Sequence, residues 1–409
     1  MDKISASYQH SYGLCLHLAM VGVIIGLLAG IVDTIFGRVL LYIGDIRLTA
    51  LPYLLPFLGL VGVVIVFFYQ RFGKEAQKGM ALMFEVAYGE RKTIPLILIP
   101  LVVMSTWLTH LFGGSAGREG VAVQLGATIA HRFYPYFTFP NASQVLVVTG
   151  MAAGFAGLFQ TPLAALFFGL EVLMIGQLQL YALIPCLFAV YTASSLSNLL
   201  GLEKFSHLLP LTQTITVEVF LKCVLLGLLF GMTGNLFVYL QGLLKKQAAA
   251  YVRNPYWRIA LIGLALSLAL SLAHFGRYAG LGTNLIEASF STHHIYSYDF
   301  LLKLLFTTLT LVAGFQGGEV TPLFAIGASL GVVLAPIFGL PIELVAAAGY
   351  ISVFASATNT LLAPILIGGE VFGFQNLPFF IITIIISYIL NFSQSIYGAQ
   401  KIIRIREEE

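Results

Sequence analysis

Apolar runs about as long as a bilayer is thick dominate this chain and leave it few ways to fold. A spanning helix needs roughly 20 apolar residues. Suitable stretches lie near 14–32, 50–69, 94–112, 143–174, 179–200, 216–240, 258–275, 300–338 and 361–392. With 58% hydrophobic and 10% charged residues, the chain reads as neither a soluble domain nor a disordered one. In hydrocarbon a backbone must satisfy its own hydrogen bonds, so the expectation is an all-α polytopic membrane protein. Several runs exceed one span and contain Gly or Pro. They predict paired helices, more than about ten membrane helices in all, many of them short and broken.

One stretch interrupts this pattern with chemistry. Gly113-Gly114-Ser115-Ala116-Gly117-Arg118-Glu119-Gly120-Val121 sets two charges and four glycines between apolar segments. Ionisable groups at membrane depth are costly and mark function by default. Irregular backbone is tolerated there only where protein buries it or a cavity is lined by it. The stretch therefore predicts a broken helix whose N-terminal amides face a polar site.

A second break, Gly317-Gly318-Glu319-Val320-Thr321-Pro322, belongs to what reads as an internal repeat. Gln160-Thr161-Pro162-Leu163-Ala164-Ala165 leads to Gly169-Leu170-Glu171-Val172. Asn359-Thr360-Leu361-Leu362-Ala363-Pro364 leads to Gly368-Gly369-Glu370-Val371 in the same register, and Gln124–Ala127 parallels Ala325–Ala328. Small residues also recur in membrane helices simply because they pack closely, but matched broken segments in two halves point to a midplane site. The expected organisation is an N-terminal segment 1–13, repeats at 14–205 and 215–392, and a C-terminal helix and tail at 393–409. Three basic regions are expected to face the cytoplasm. One connection holds Arg71, Lys74, Lys78, Arg91 and Lys92, another holds Lys245, Lys246, Arg253 and Arg258, and the C-terminus holds Lys401, Arg404 and Arg406. Cys15, Cys186 and Cys223 lie in apolar runs without metal spacing, and no cofactor, metal site or nucleic-acid surface is expected.

The breaks suit anions. Thr321 stands as a natural N-cap before Pro322, so a helix starting there aims free amides and a positive dipole end at the glycines. Gly120-Val121 offers the same in the first half, and Lys78-Gly79-Met80 gives a third start. Glu119 is itself an anion. Deprotonated, it can occupy such a site; an arriving anion competes with it and protonation releases it, which links proton to anion movement. Alternatively, Glu119 only pairs with Arg118 or caps a helix. Glu319 carries the same ambiguity.

At these residues the chain resembles the CLC family of anion channels and proton-coupled anion antiporters, over about residues 14–400. Gly117-Arg118-Glu119-Gly120 resembles the family's signature break, and Gly317–Pro322 its second anion loop. Thr161–Glu171 matches the helix that follows, Gly79-Met80 stands near the first anion loop, and Gly280–Ile286 reads like a family segment. Tyr397 stands where the family has an anion-contacting tyrosine. Several departures stand out: Met80 where the chloride-type loop has serine, Val121 for the usual proline, Glu319 and Thr321 at apolar positions, and Val172 for an inner glutamate, with Glu171 retained beside it. This combination resembles the bacterial branch that exports fluoride in exchange for protons. The resemblance implies two inverted-topology repeats and a homodimer with one pathway per subunit in the lipid bilayer. Glu119 is implied as gate and proton carrier, with Gly79, Met80, Gly120, Val121, Val320, Thr321 and Tyr397 around the anion and Glu319 on a possible proton route.

Chloride/proton antiport and passive anion flow are the alternatives within transport. A different class is an intramembrane hydrolase: Gly113–Gly117 formally fits Gly-x-Ser-x-Gly around Ser115, with His110, His274, His293 and His294 as candidate bases. That elbow belongs between a strand and a helix, a context this chain lacks.

Overall fold

The computed structural model describes residues 12–210, 212–291, 293–391 and 394–402. Arg404, Arg406 and nearly all of the expected N-terminal segment lie outside them. Six helical segments among the described residues are long and apolar enough to cross a membrane, and five shorter apolar helices accompany them.

The first half runs α1 (Tyr12–Leu54), α2 (Leu58–Phe72), α3 (Met80–Ala87), α4 (Leu98–Leu111), α5 (Glu119–His131), α6 (Ala142–Phe159), α7 (Pro162–Glu171) and α8 (Leu183–Leu199). The second runs α9 (Val217–Tyr251), α10 (Pro255–Leu272), α11 (Thr283–Ser289), α12 (Asp299–Ala313), α13 (Val320–Phe338), α14 (Ile342–Thr358), α15 (Leu362–Phe372) and α16 (Leu377–Ile389). The long runs at 143–174, 300–338 and 361–392 each divide into two helices, as their Gly and Pro content predicts. A two-residue parallel strand pair joins β1 (Met174–Ile175) to β2 (Lys401–Ile402).

Three expectations need correction. The runs near 14–32 and 50–69 are not separate helices with a loop between; α1 continues through both Asp33 and Arg47 to a 3-10 turn at Leu55–Phe57. Lys245, Lys246 and Arg258 do not lie in a connection. The Leu-, Lys- and Ala-rich end of α9 favours helix, so the connection shrinks to 252–254, where Asn254 caps Tyr256 of α10 at 2.9 Å. Finally, α14 falls in a gap between the apolar runs read from sequence. It is apolar but only 17 residues long, shorter than the roughly 20 of a full span, and every residue from Leu344 to Thr358 is buried.

Small residues set the core. In each half a break-following helix packs on the next one: α5 on α6 through Gly126 and Gly150, α13 on α14 through Gly327 and Gly349. A side chain at any of the four would run into the facing backbone. The starts of α5 and α13 also meet in the interior. There the two breaks pair with each other: Gly117 N–H donates to Gly318 O at 2.5 Å, and Gly318 N–H returns the bond to Gly117 O at 2.7 Å.

The two repeats also cap each other. The Glu171 carboxylate, at the end of α7, accepts from the amides of Leu361, Leu362 and Ala363 at 3.1, 3.0 and 2.8 Å, at the start of α15. The Glu370 carboxylate, from α15, accepts from Leu163 and Ala164 at 3.2 and 2.9 Å, at the start of α7. Each acid thus fills an anion-seeking helix end of the opposite half.

Candidate functional site

Around the Gly117–Gly318 pair, the first turns of α5 and α13 point their N-termini at one another. Glu119 is buried at 1% exposure. Its Oε2 accepts from the Thr321 amide at 3.1 Å, the Thr321 hydroxyl at 2.5 Å and the Arg118 amide at 3.3 Å. The Arg118 Nε stands 3.8 Å from Oε1. Nε and Nη1 of Arg118 are buried with no hydrogen-bond partner among the described residues. A carboxylate thus rests on the N-terminal turn of α13, in a place suited to an anion.

Thr321 is not the N-cap that the sequence suggested. The helix starts two residues earlier, with Glu319 as N-cap, so Thr321 lies within the first turn and turns its amide and hydroxyl toward Glu119. Nor is Val121's amide available to an anion, because it bonds to Arg118 O at 3.1 Å, closing the first turn of α5. Val121 and Val320 contribute buried apolar side chains.

Next to this junction opens a cavity of about 510 Å³. It brings together Gly79, Met80, Gly120, Glu319 and Tyr397, residues far apart in sequence, while Thr321, Val121 and Val320 do not line it. Gly79 adopts φ +54° and ψ −126°, a conformation open essentially to glycine, which turns the chain from a 3-10 turn into α3. Tyr397 sits between the rings of Phe84 and Phe168, its centroid 5.7 and 6.4 Å from theirs. Its hydroxyl is buried without a partner among the described residues, an O–H donor beside the cavity that Tyr397 lines. The segment carrying it is tied down: Gln400 Nε2 donates to Val172 O at 2.9 Å, and Lys401 Nζ pairs with Glu90 at 2.7 Å.

Sequence reasoning missed four cavity-lining side chains. Gln124 donates to Gly120 O at 3.1 Å. Gln241 Nε2 donates to Glu319 Oε1 at 3.3 Å. Lys78 and Lys245 complete the wall, and Lys78 is also paired with Glu85 at 2.6 Å. Basic residues from distant parts of the chain, Lys78 before α3 and Lys245 on α9, therefore meet at one cavity. Gln241 is one of several polar residues in α9, with Thr233 and Asn235, and nothing in the sequence singled it out.

The hydrolase geometry is absent. Ser115 Oγ lies 2.9 Å from Thr307 Oγ1 and accepts from Lys303 Nζ at 2.9 Å. The ring nitrogens of His110 face the carbonyl oxygens of Thr106 and Ala116 at 2.8 and 2.9 Å, and His274 contacts Tyr298. No histidine in this set is bonded to Ser115. Lys303, fully buried, also donates to Tyr278 O at 3.2 Å and Gly280 O at 2.7 Å, so the serine belongs to a knot that braces the first break.

Residues 61–391 match the model of a family described as voltage gated chloride channel. A chloride/fluoride channel protein of Pseudomonas syringae pv. tomato is 36% identical over 393 residues, covering 94% of this chain and 86% of that one. The crystal structure of a CLC-type fluoride/proton antiporter superposes with a TM-score of 0.94 at 55% identity, covering 96% of this chain and all of the other. A slow cyanobacterial Cl−/H+ antiporter superposes at 0.76 with 19% identity, covering 91% and 94%, a likeness of fold alone.

Proposed function

This chain belongs to the voltage-gated chloride channel, or CLC, family, and from that premise we propose that it exports fluoride from the cytoplasm in exchange for protons. It is a multi-pass membrane transporter rather than an enzyme. The observation that carries the finer reading is the seat of Glu119 on the amide and hydroxyl of Thr321.

A carboxylate there holds the place of an anion. Fluoride arriving from the cavity competes for the same donors, and a proton on Glu119 removes its claim to them. The proton then leaves with the carboxyl as it swings, and the anion passes the vacated seat. Fluoride is small and strongly hydrated, so its dehydration demands strong donors. Thr321 and the buried hydroxyl of Tyr397 supply them, beside Gly79, Gly120 and the backbone of Val320. Met80 and Val121 offer only apolar surface. Glu319, in the cavity wall where α13 begins, serves the inner end of the proton route, since Val172 has no proton to give. Support for fluoride over chloride comes from the 55%-identical fluoride/proton antiporter. The same reading puts the basic face and the C-terminus in the cytoplasm, takes 14–205 and 215–392 as the two repeats, and assembles two copies as a homodimer with one pathway each.

Proteoliposomes test it. Fluoride and chloride efflux are measured at set voltage while lumenal pH is followed. Fluoride efflux driving protons uphill, with little chloride efflux, is the expected outcome. Loss of proton movement with retained fluoride flux in Glu119→Gln assigns the proton to that residue. The second reading, passive anion flow, takes its support from the relative named a channel; anion efflux without proton movement in the wild-type protein would establish it.

A further inference from the structure

Gln241 and Lys245 lie four residues apart on α9, hence on one face of it, and both line the cavity that holds Glu319. We propose that Gln241 is a positioning residue for Glu319, holding that acid at the inner end of the path in both its charged and its protonated state. The proposal deepens the reading of Glu319 as part of the proton route and rests on it.

The argument begins with the carboxylate. Glu319 Oε1 accepts from Gln241 Nε2 at 3.3 Å. Its Oε2 lies against Gly120, where a methyl group on the glycine would stand 3.8 Å from it. The side chain therefore spans from α9 to the first turn of α5, between the cavity and the seat of Glu119. An acid that takes up and releases a proton needs a neighbour suited to both forms. An amide is such a neighbour: its NH2 donates to a carboxylate, and its carbonyl accepts from a carboxylic acid. A lysine or arginine at 241 would favour only the charged form, and an apolar residue neither. The other charged or titratable groups near Glu319 are Lys245 and Lys78 in the cavity wall, Tyr397 opposite, Glu119 beyond Gly120, and Tyr69, whose hydroxyl donates to Gln316 at 3.4 Å.

The test is a double-mutant cycle in proteoliposomes, reading fluoride efflux and its pH profile. Gln241→Met removes both the donor and the acceptor at nearly constant volume. A hydrogen bond to a charged group predicts a loss of about tenfold in fluoride-coupled proton uptake. Gln241→Lys places a cation beside the acid and moves the proton-limited limb of the profile toward acid by about one pH unit or more. In the Glu319→Gln background both substitutions become silent, because the group they act through no longer titrates. Equal effects in the two backgrounds would overturn the proposal, as would an unchanged rate and profile in Gln241→Met. Should Glu319→Gln pass too little fluoride to measure, fluoride titration calorimetry on the purified protein reads the same cycle: Gln241→Met weakens binding only where Glu319 is present. Failure of the antiport reading is separable, since it shows in the wild-type protein as fluoride efflux without protons.

Discussion

Neutralising Glu171 should unseat the second half of the protein more than neutralising Glu370 unseats the first. Three amides converge on Glu171: Leu361 and Leu362 on Oε2, Ala363 on Oε1. In Glu171→Gln the new carbonyl oxygen keeps the first two, but the NH2 then faces the N–H of Ala363, donor against donor. The kept bonds lose their charge assistance, about 1 kcal/mol each. The orphaned amide costs about 1–3 kcal/mol. Against this, a neutral side chain no longer requires burial of a charge. The net cost is about 2–3 kcal/mol, and about half of that at Glu370, which holds two amides and is more exposed. Thermal unfolding in detergent, followed by a thiol-reactive dye as the buried Cys186 becomes exposed, should show Tm falling by roughly 5 °C for Glu171→Gln. A fall under about 1 °C, or a larger one for Glu370→Gln, refutes the reasoning.

Other substitutions separate the remaining parts. Thr321→Val keeps the amide to Glu119 but removes the hydroxyl, a charge-assisted bond of about 1.5–3 kcal/mol; the proton-to-fluoride ratio from reversal potentials should drop, and Thr321→Ser should restore it. Lys303→Met leaves Ser115 Oγ and the carbonyls of Tyr278 and Gly280 without their buried donor, lowering stability by about 2 kcal/mol with a lower Tm as readout. Gly318→Ala sets a methyl 2.9 Å from the Gly120 nitrogen; the paired breaks must separate, so fluoride efflux should stop in protein that still elutes as a folded species.

The breaks were legible because a long apolar run gains nothing from charge and glycine unless a polar site needs them there. Glu119 and Glu319 stand at the junction, and Tyr397, which the family resemblance alone pointed to, lines the cavity beside it. What stayed hidden depended on contacts between distant segments. Glu171 and Glu370 were visible as a repeat, but their exchange of caps needs α7 and α15 side by side, which no spacing encodes. Gln241 meets Glu319 across 78 residues, and Lys303 resembles any stray cation until Ser115 and two carbonyls surround it. Helix α14 was lost for another reason: it is apolar, but at 17 residues it is shorter than the roughly 20-residue run that marks a span.

The pair of hydrogen bonds between Gly117 and Gly318 has a mechanical consequence. Peptide groups from both halves are tied together at the junction of the two breaks, so on the proposed transport reading the wall beside the ion has no hinge there. Whatever opens and shuts is set within that wall and hangs from it by a few single bonds. The protein then resembles a turnstile in masonry rather than a pair of doors. On the proposed reading, its working stroke is the rotation of the Glu119 side chain, a movement that would displace almost no lipid and ask little of the membrane around it.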